Sequence, residues 1–190
     1  MNRKFDRGSA PHIPSAVTVG GVMRQVLYAL CPGILAYTWF FGLGVLVQIA
    51  LAVLCALIFE ALMLKARGQP PGLYLGDCSA LVTAVLFALC LPPLAPWWVA
   101  CLGMFFAIVV AKHLYGGLGH NVFNPAMVGY VVVLISFPQA LTQWPAPLTL
   151  AHENLNLVDT LTTIFAGHLP PALGWDTISQ ATPLDILRSG

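Results

Sequence analysis

Three groups of residues in this chain have the types and spacing to do chemistry. The first is a polar run near the C-terminus, Asp176-Thr177-Ile178-Ser179-Gln180-Ala181-Thr182-Pro183-Leu184-Asp185. Thr182 is a good helix N-cap, and Pro183 suits the first helical position, where its missing N–H costs nothing. Asp185 stands at capping-box spacing from Thr182, although Glu is the commoner partner there. A helix starting at Thr182 would set free N–H groups and a positive dipole end beside one hydroxyl, a natural seat for a phosphate. Read locally, the same run is also a plain helix cap in a loop.

The second group is residues 115–126, Tyr-Gly-Gly-Leu-Gly-His-Asn-Val-Phe-Asn-Pro-Ala. It has too much Gly, Asn and His for a lipid-facing helix. It reads either as an ordinary inner loop or as a broken helix or re-entrant turn beside a cofactor or ion path. Irregular backbone at membrane depth must be buried in protein or line a wet cavity, and a protein-buried break is the expectation we carry forward. Asn124-Pro125 forms an N-cap and first-turn pair for the helix that follows. The third group is Glu60, Asp77, Lys112 and His113, ionisable residues in or beside apolar runs. Such residues are functional candidates by default. Each sits within a few residues of a predicted span end, so snorkelling or capping is the expected use.

These groups must be positioned by membrane helices. Of 190 residues, 58% are hydrophobic and 8% charged, and the mean hydropathy is +0.83. A soluble domain carries about 25% charged residues, so a fold with a wholly water-facing surface is excluded and a polytopic membrane protein is indicated. The net charge of +1 gives no sign of nucleic-acid binding. The five cysteines, Cys31, Cys55, Cys78, Cys90 and Cys101, form no Cys-x-x-Cys pair and lie in or beside apolar runs, where cysteine acts as a small hydrophobe. The five histidines show no His-x-x-x-His or His-x-Glu spacing, so no metal site is indicated. No cleavable signal peptide is evident, because the first apolar run is followed at once by a second.

Residues 1–22 read as a polar, irregular cytoplasmic tail. Crossing the hydrocarbon takes roughly 20 helical residues at about 1.5 Å each. Five apolar segments are predicted as spans, near residues 23–41, 45–64, 77–91, 98–113 and 127–137. Pro32-Gly33 could kink the first, Gln48 and Glu60 are the polar exceptions in the second, and Pro92, Pro93 and Pro96 close the third. Trp97 and Trp98 mark a membrane interface. Residues 138–190 are polar and loop-rich, with a short amphipathic helix predicted over 158–167.

Lys and Arg favour the cytoplasmic side. With the N-terminus inside, Arg3, Lys4, Arg7, Arg24, Lys65, Arg67 and Lys112 all fall on that side, and of the eight basic residues only Arg188 is outside. The reverse threading puts seven outside. The expected orientation therefore has the N-terminus in the cytoplasm and residues 138–190 on the opposite face.

Two of the motifs carry a family resemblance. Ser179-Gln180-Ala181-Thr182, preceded by Asp176, resembles the flavinylation motif Asp-x-x-Ser/Thr-Gly-Ala-Thr, with Gln180 in the Gly position. Residues 116–126 resemble the Gly-Gly-Leu-Gly-x-Asn-x-Phe-Asn-Pro-Ala run of RnfD-like and NqrB-like chains. The resemblance is to the RnfD side of that family and covers about residues 23–187. It implies an all-α integral membrane fold, a polytopic helical bundle with a broken or re-entrant segment and an extracytoplasmic flavin-bearing loop, in the bacterial inner membrane with that loop in the periplasm.

Functionally, the resemblance implies a subunit of an ion-translocating, ferredoxin:NAD-type Rnf complex that carries electrons on FMN, held by a phosphoester to Thr182. Its implied partners are the other complex subunits, a flavin transferase for maturation, and membrane lipid. A second, noncovalent flavin is left open. Family members continue past the loop with further spans, so the chain is expected to be a fragment or a truncated form. The rivals are an NqrB-type subunit of a sodium-pumping NADH:quinone reductase, which the short N-terminus disfavours, a non-redox transporter module, and a purely structural assembly subunit.

Overall fold

In the computed structural model the described residues are 18–69, 72, 75–151, 155–170 and 173–179. Among them the secondary structure is all helical. Helix α1 spans Val19–Phe41 and is capped by Thr18, whose hydroxyl accepts from Gly21 N–H at 3.1 Å. It runs through Pro32 and buries none of its residues. A two-residue break at Gly42 and Leu43 leads into α2, Gly44–Ala66. These are the two helices long and apolar enough to cross a membrane on their own, 23 residues each, or roughly 35 Å at 1.5 Å per residue.

Helix α2 is the axis of the bundle, packing against the other helices on several sides. Its buried residues fall on one stripe: Gly44 and Val45, then Gln48, Ala52, Ala56, Glu60 and Leu64, at every fourth position. Ala52 and Ala56 are wholly buried, and such small side chains let neighbouring backbones approach closely. Polar residues, Gln48 and Glu60, flank this small-residue centre.

Each of the five expected apolar segments contains a helix, but the third is cut short. Helix α3 is only Ser79–Ala88, about 15 Å long. The chain then turns through residues 89–96 while still inside protein: Leu91, Leu94 and Ala95 are buried. Gln48 Nε2 donates to the Ala95 carbonyl, satisfying one group that the missing helix leaves open. The physical cause is Pro92, Pro93 and Pro96, which remove N–H donors and constrain their predecessors.

Helix α4 covers Trp97–His113. Its second half, Phe105–His113, is wound as a π-helix, with wide-turn hydrogen bonds such as Leu114 N–H to Val109 C=O at 3.1 Å. Helix α5, Pro125–Ser136, starts at Asn124, whose side chain accepts from Ala126 N–H at 3.0 Å, the cap expected for that pair. It crosses α4 at Gly103 and Gly129: a Cβ on Gly129 would lie 2.5 Å from the Gly103 carbonyl oxygen. Short helices α6, Pro138–Thr142, α7, Leu157–Ala166, and α8, Trp175–Ile178, complete the described chain. Helix α7 is the expected amphipathic helix, with Thr160, Thr163 and Ile164 buried.

The glycine-rich loop departs from its expectation. In this chain it is not a protein-buried break. Gly117 is buried, but Leu118, Val122 and Phe123 are exposed. Its polar side chains are used locally: Asn121 accepts from Gly119 N–H and donates to the Phe123 carbonyl. It therefore lies as a chain of turns at one end of the bundle. The buried irregular segment is 89–96, at the other end.

Candidate functional site

The bundle has two chemically different ends. At one end are Gly20 of α1, which meets the Asp77 backbone, the C-terminal part of α2, the start of α3 and the end of α4. Arg24, Lys65, Arg67 and Lys112, the basic residues among the described ones, all belong to this end. At the other end Leu148 N–H donates to Phe40 C=O at 2.7 Å, and Ala146 N–H donates to Ile178 C=O at 2.8 Å. The segment leading into the C-terminal motif is thus tied to the end opposite Lys112.

The basic end holds a buried ionic centre. Glu60, Lys112 and His113 are only 2%, 3% and 5% exposed. Lys112 Nζ donates to Glu60 Oε1 at 2.7 Å and to Ser79 Oγ at 2.9 Å. The Ser79 hydroxyl donates in turn to Asp77 Oδ1 at 2.6 Å, and its N–H donates to the same oxygen at 2.7 Å. His113 Nε2 lies 3.0 Å from the second carboxylate oxygen, Oε2, but off the line of a hydrogen bond, so both atoms lack a hydrogen-bond partner. That contact is electrostatic in character. Consecutive residues of one helix thus face the two oxygens of one carboxylate, within the π-wound stretch of α4. Wide turns of this kind occur often at functional sites.

For Glu60, Lys112 and His113 this corrects the snorkelling expectation. Snorkelling needs a route for the charge to water, and these side chains point inward to one another. Asp77 does cap, as expected, holding the first N–H of α3. The sequence did not reveal the grouping, because Glu60 and Lys112 are 52 residues apart and Ser79 comes from a third segment. The one available signal was an acid and a base, each near the basic end of its predicted span.

A cavity of about 500 Å³ opens beside the centre, lined by Glu60, Arg67, Asp77, Lys112, His113 and His120 among others. Arg67 closes its rim. One guanidinium nitrogen lies 3.3 Å from His113 Nδ1, and the other donates to the Gly116 carbonyl at 3.0 Å.

Thr182, the expected flavin-bearing residue, lies outside the described residues, as do Gln180, Ala181 and the helix expected to start there. Residues 1–17 of the expected cytoplasmic tail also lie outside them. The motif's upstream part is visible as α8, after which Ser179 turns extended and its hydroxyl donates to the Trp175 carbonyl at 2.7 Å. Ser179 is thus already engaged with backbone. Next to it, a cleft of about 200 Å³ is lined by Phe41, Leu43, Leu94, Ala146, Leu148 and Ile178 among others.

Known proteins share this chain's sequence along nearly its whole length. It is 50% identical over 190 residues to the D-type subunit of the ion-translocating oxidoreductase complex of Shewanella denitrificans, an alignment covering 97% of this chain and 54% of that protein. The proteins of the same name from Escherichia fergusonii and Salmonella paratyphi B are 50% and 48% identical over 192 residues, with the same coverage. The chain spans about half the length of these curated relatives, 54%. The pattern of the NQR2, RnfD, RnfE family fits residues 7–190, a stretch that takes in the helical bundle, the ionic centre and the C-terminal motif, and the chain belongs to that membrane-protein family.

Proposed function

We propose that this chain is part of the D-type membrane subunit of an ion-translocating oxidoreductase complex, and that it carries electrons on FMN joined through a phosphoester to Thr182. The observation that carries the coarser reading is the 50% identity to D-type subunits of such complexes along 97% of the chain. The flavin reading is supported by Asp176, Ser179 and Ala181-Thr182 at the spacing of the flavinylation motif. The FMN ring would supply one- and two-electron transfer, and the chain's own residues would hold and orient it. Ser179 is turned back onto Trp175, which favours Thr182, the hydroxyl at the motif's last position, as the point of attachment.

In this reading the basic end faces the cytoplasm and the motif faces the periplasm. Arg24, Lys65 and Arg67 stand at one end of the bundle and Ile178 at the other, the arrangement the charge bias calls for. The complex is of the ferredoxin:NAD type, its other subunits are the partners, and a flavin transferase attaches the FMN. The test is in-gel flavin fluorescence of the denatured subunit, expressed with the transferase. Wild type and Ser179→Ala should fluoresce and Thr182→Val should not. A dark wild-type band with an active transferase overturns the flavin reading and favours a non-redox module.

A further inference from the structure

The ionic centre contains a feature that the flavin reading does not use. His113 is caught between two groups of opposite demand. On its Nε2 side is the buried Glu60 carboxylate, 3.0 Å away. On its Nδ1 side is the Arg67 guanidinium, 3.3 Å away. Arginine has only donors and does not give up its proton. Nδ1 must therefore accept, and the ring's single proton sits on Nε2, facing Glu60. The bond on one ring nitrogen sets the state of the other.

We infer that Arg67 is a positioning residue that gates the passage of a proton to Glu60 through His113. While the guanidinium caps Nδ1, that nitrogen is closed to a proton from the cavity. The same guanidinium holds the Gly116 carbonyl, so the latch also fixes the glycine loop at the rim. When Arg67 swings away, Nδ1 is open to the cavity. A proton taken up at Nδ1 is matched by transfer of the Nε2 proton to Glu60 Oε2. This leaves a neutral carboxylic acid, a neutral Nδ1–H imidazole and one added positive charge. The ring atoms are already within transfer distance, and a small rotation of the imidazole lines up the Nε2–H with Oε2.

The surroundings are consistent with one entry. Lys112, itself bonded to Ser79, occupies the Oε1 side of Glu60, and Asp77 is engaged with Ser79. That leaves Oε2, the oxygen facing His113, without a hydrogen bond. His120 lines the cavity outside the latch. Arg67 itself is on the exposed end of α2, so its side chain can move without disturbing the core. The inference rests on this geometry and not on the flavin assignment.

The test is nitrogen NMR of the assembled complex in lipid nanodiscs, with 15N-histidine in this subunit and the His113 signals identified by their loss in His113→Gln. Wild-type His113 should carry its ring proton on Nε2. In Arg67→Gln the ring proton should be found on Nδ1, accompanied by an infrared carbonyl band of a protonated carboxyl that Glu60→Gln abolishes. A wild-type His113 that is an imidazolium or carries its proton on Nδ1 overturns the inference. So does an Arg67→Gln protein whose His113 behaves as in wild type.

Discussion

Lys112 Nζ lies 2.7 Å from Glu60 Oε1, and both side chains are almost wholly buried. Such a pair is weak evidence for stability as a unit, but removing one partner leaves the other charge buried and alone. Lys112→Met is therefore expected to destabilise by about 3–5 kcal/mol, and Glu60→Gln by a comparable amount. The double variant should lose much less than the sum, because no charge is left unpaired. Thermal melts of the purified complex in detergent check this, and simple additivity would show that the two groups do not interact.

The crossing of α4 and α5 depends on Gly129, which packs against the Gly103 backbone. A Cβ at Gly129 would lie 2.5 Å from the Gly103 carbonyl oxygen and 3.0 Å from Ala107 Cβ. Gly129→Leu should therefore separate the helices and prevent accumulation of the subunit, exceeding the roughly 1–3 kcal/mol of ordinary overpacking. Val131 lies on the outer side of the same helix and is 47% exposed, so Val131→Leu should be neutral. Immunoblots of membrane fractions compare the two.

Gly117 has φ of +101°, and a Cβ there would approach the Arg67 guanidinium at 3.4 Å. A β-branched residue is strained in that backbone region. Gly117→Val is expected to loosen the loop and with it the Arg67 contact, lowering electron-transfer activity, while Gly119→Ala, strained by its φ of +86° but with a Cβ that meets nothing, has a smaller effect. A fully active Gly117→Val variant would mean that the loop has no part in holding the ionic centre.

The parts of the fold that follow from local physics were legible. Helices α1 and α2 follow from apolar length and the start of α5 from Asn124-Pro125, whereas α3 ends at Ala88, short of the expected close at residue 91. What needed three dimensions was not. The π-wound half of α4 has no signature in Phe105–His113, whose apolar residues suit an α-helix equally well. The placement of Glu60 against Lys112 depends on how α2 and α4 pack, which neither segment states alone. The glycine loop misled because Gly, Asn and His serve turns at a helix end as readily as a buried break. Thr182 is legible only as a motif.

Sidedness can be tested without the cofactor. Lys65 is exposed at the basic end, and Val158 is exposed on α7 at the opposite end. In a background without native thiols, Lys65→Cys should react with an impermeant thiol reagent only from the cytoplasmic side. Val158→Cys should react only from the periplasmic side. Labelling of the Lys65 position from outside would reverse the orientation.

The central claim, a flavin on this chain, stands on one hydroxyl. Thr177, Ser179 and Thr182 are the candidates within the motif, and Ser179 is already hydrogen-bonded to the Trp175 carbonyl at 2.7 Å. Peptide mass spectrometry of the subunit matured with its transferase measures the site directly. The account predicts a single FMN adduct, on Thr182, that disappears in Thr182→Val. An adduct on Thr177 or Ser179, or none despite an active transferase, would contradict it.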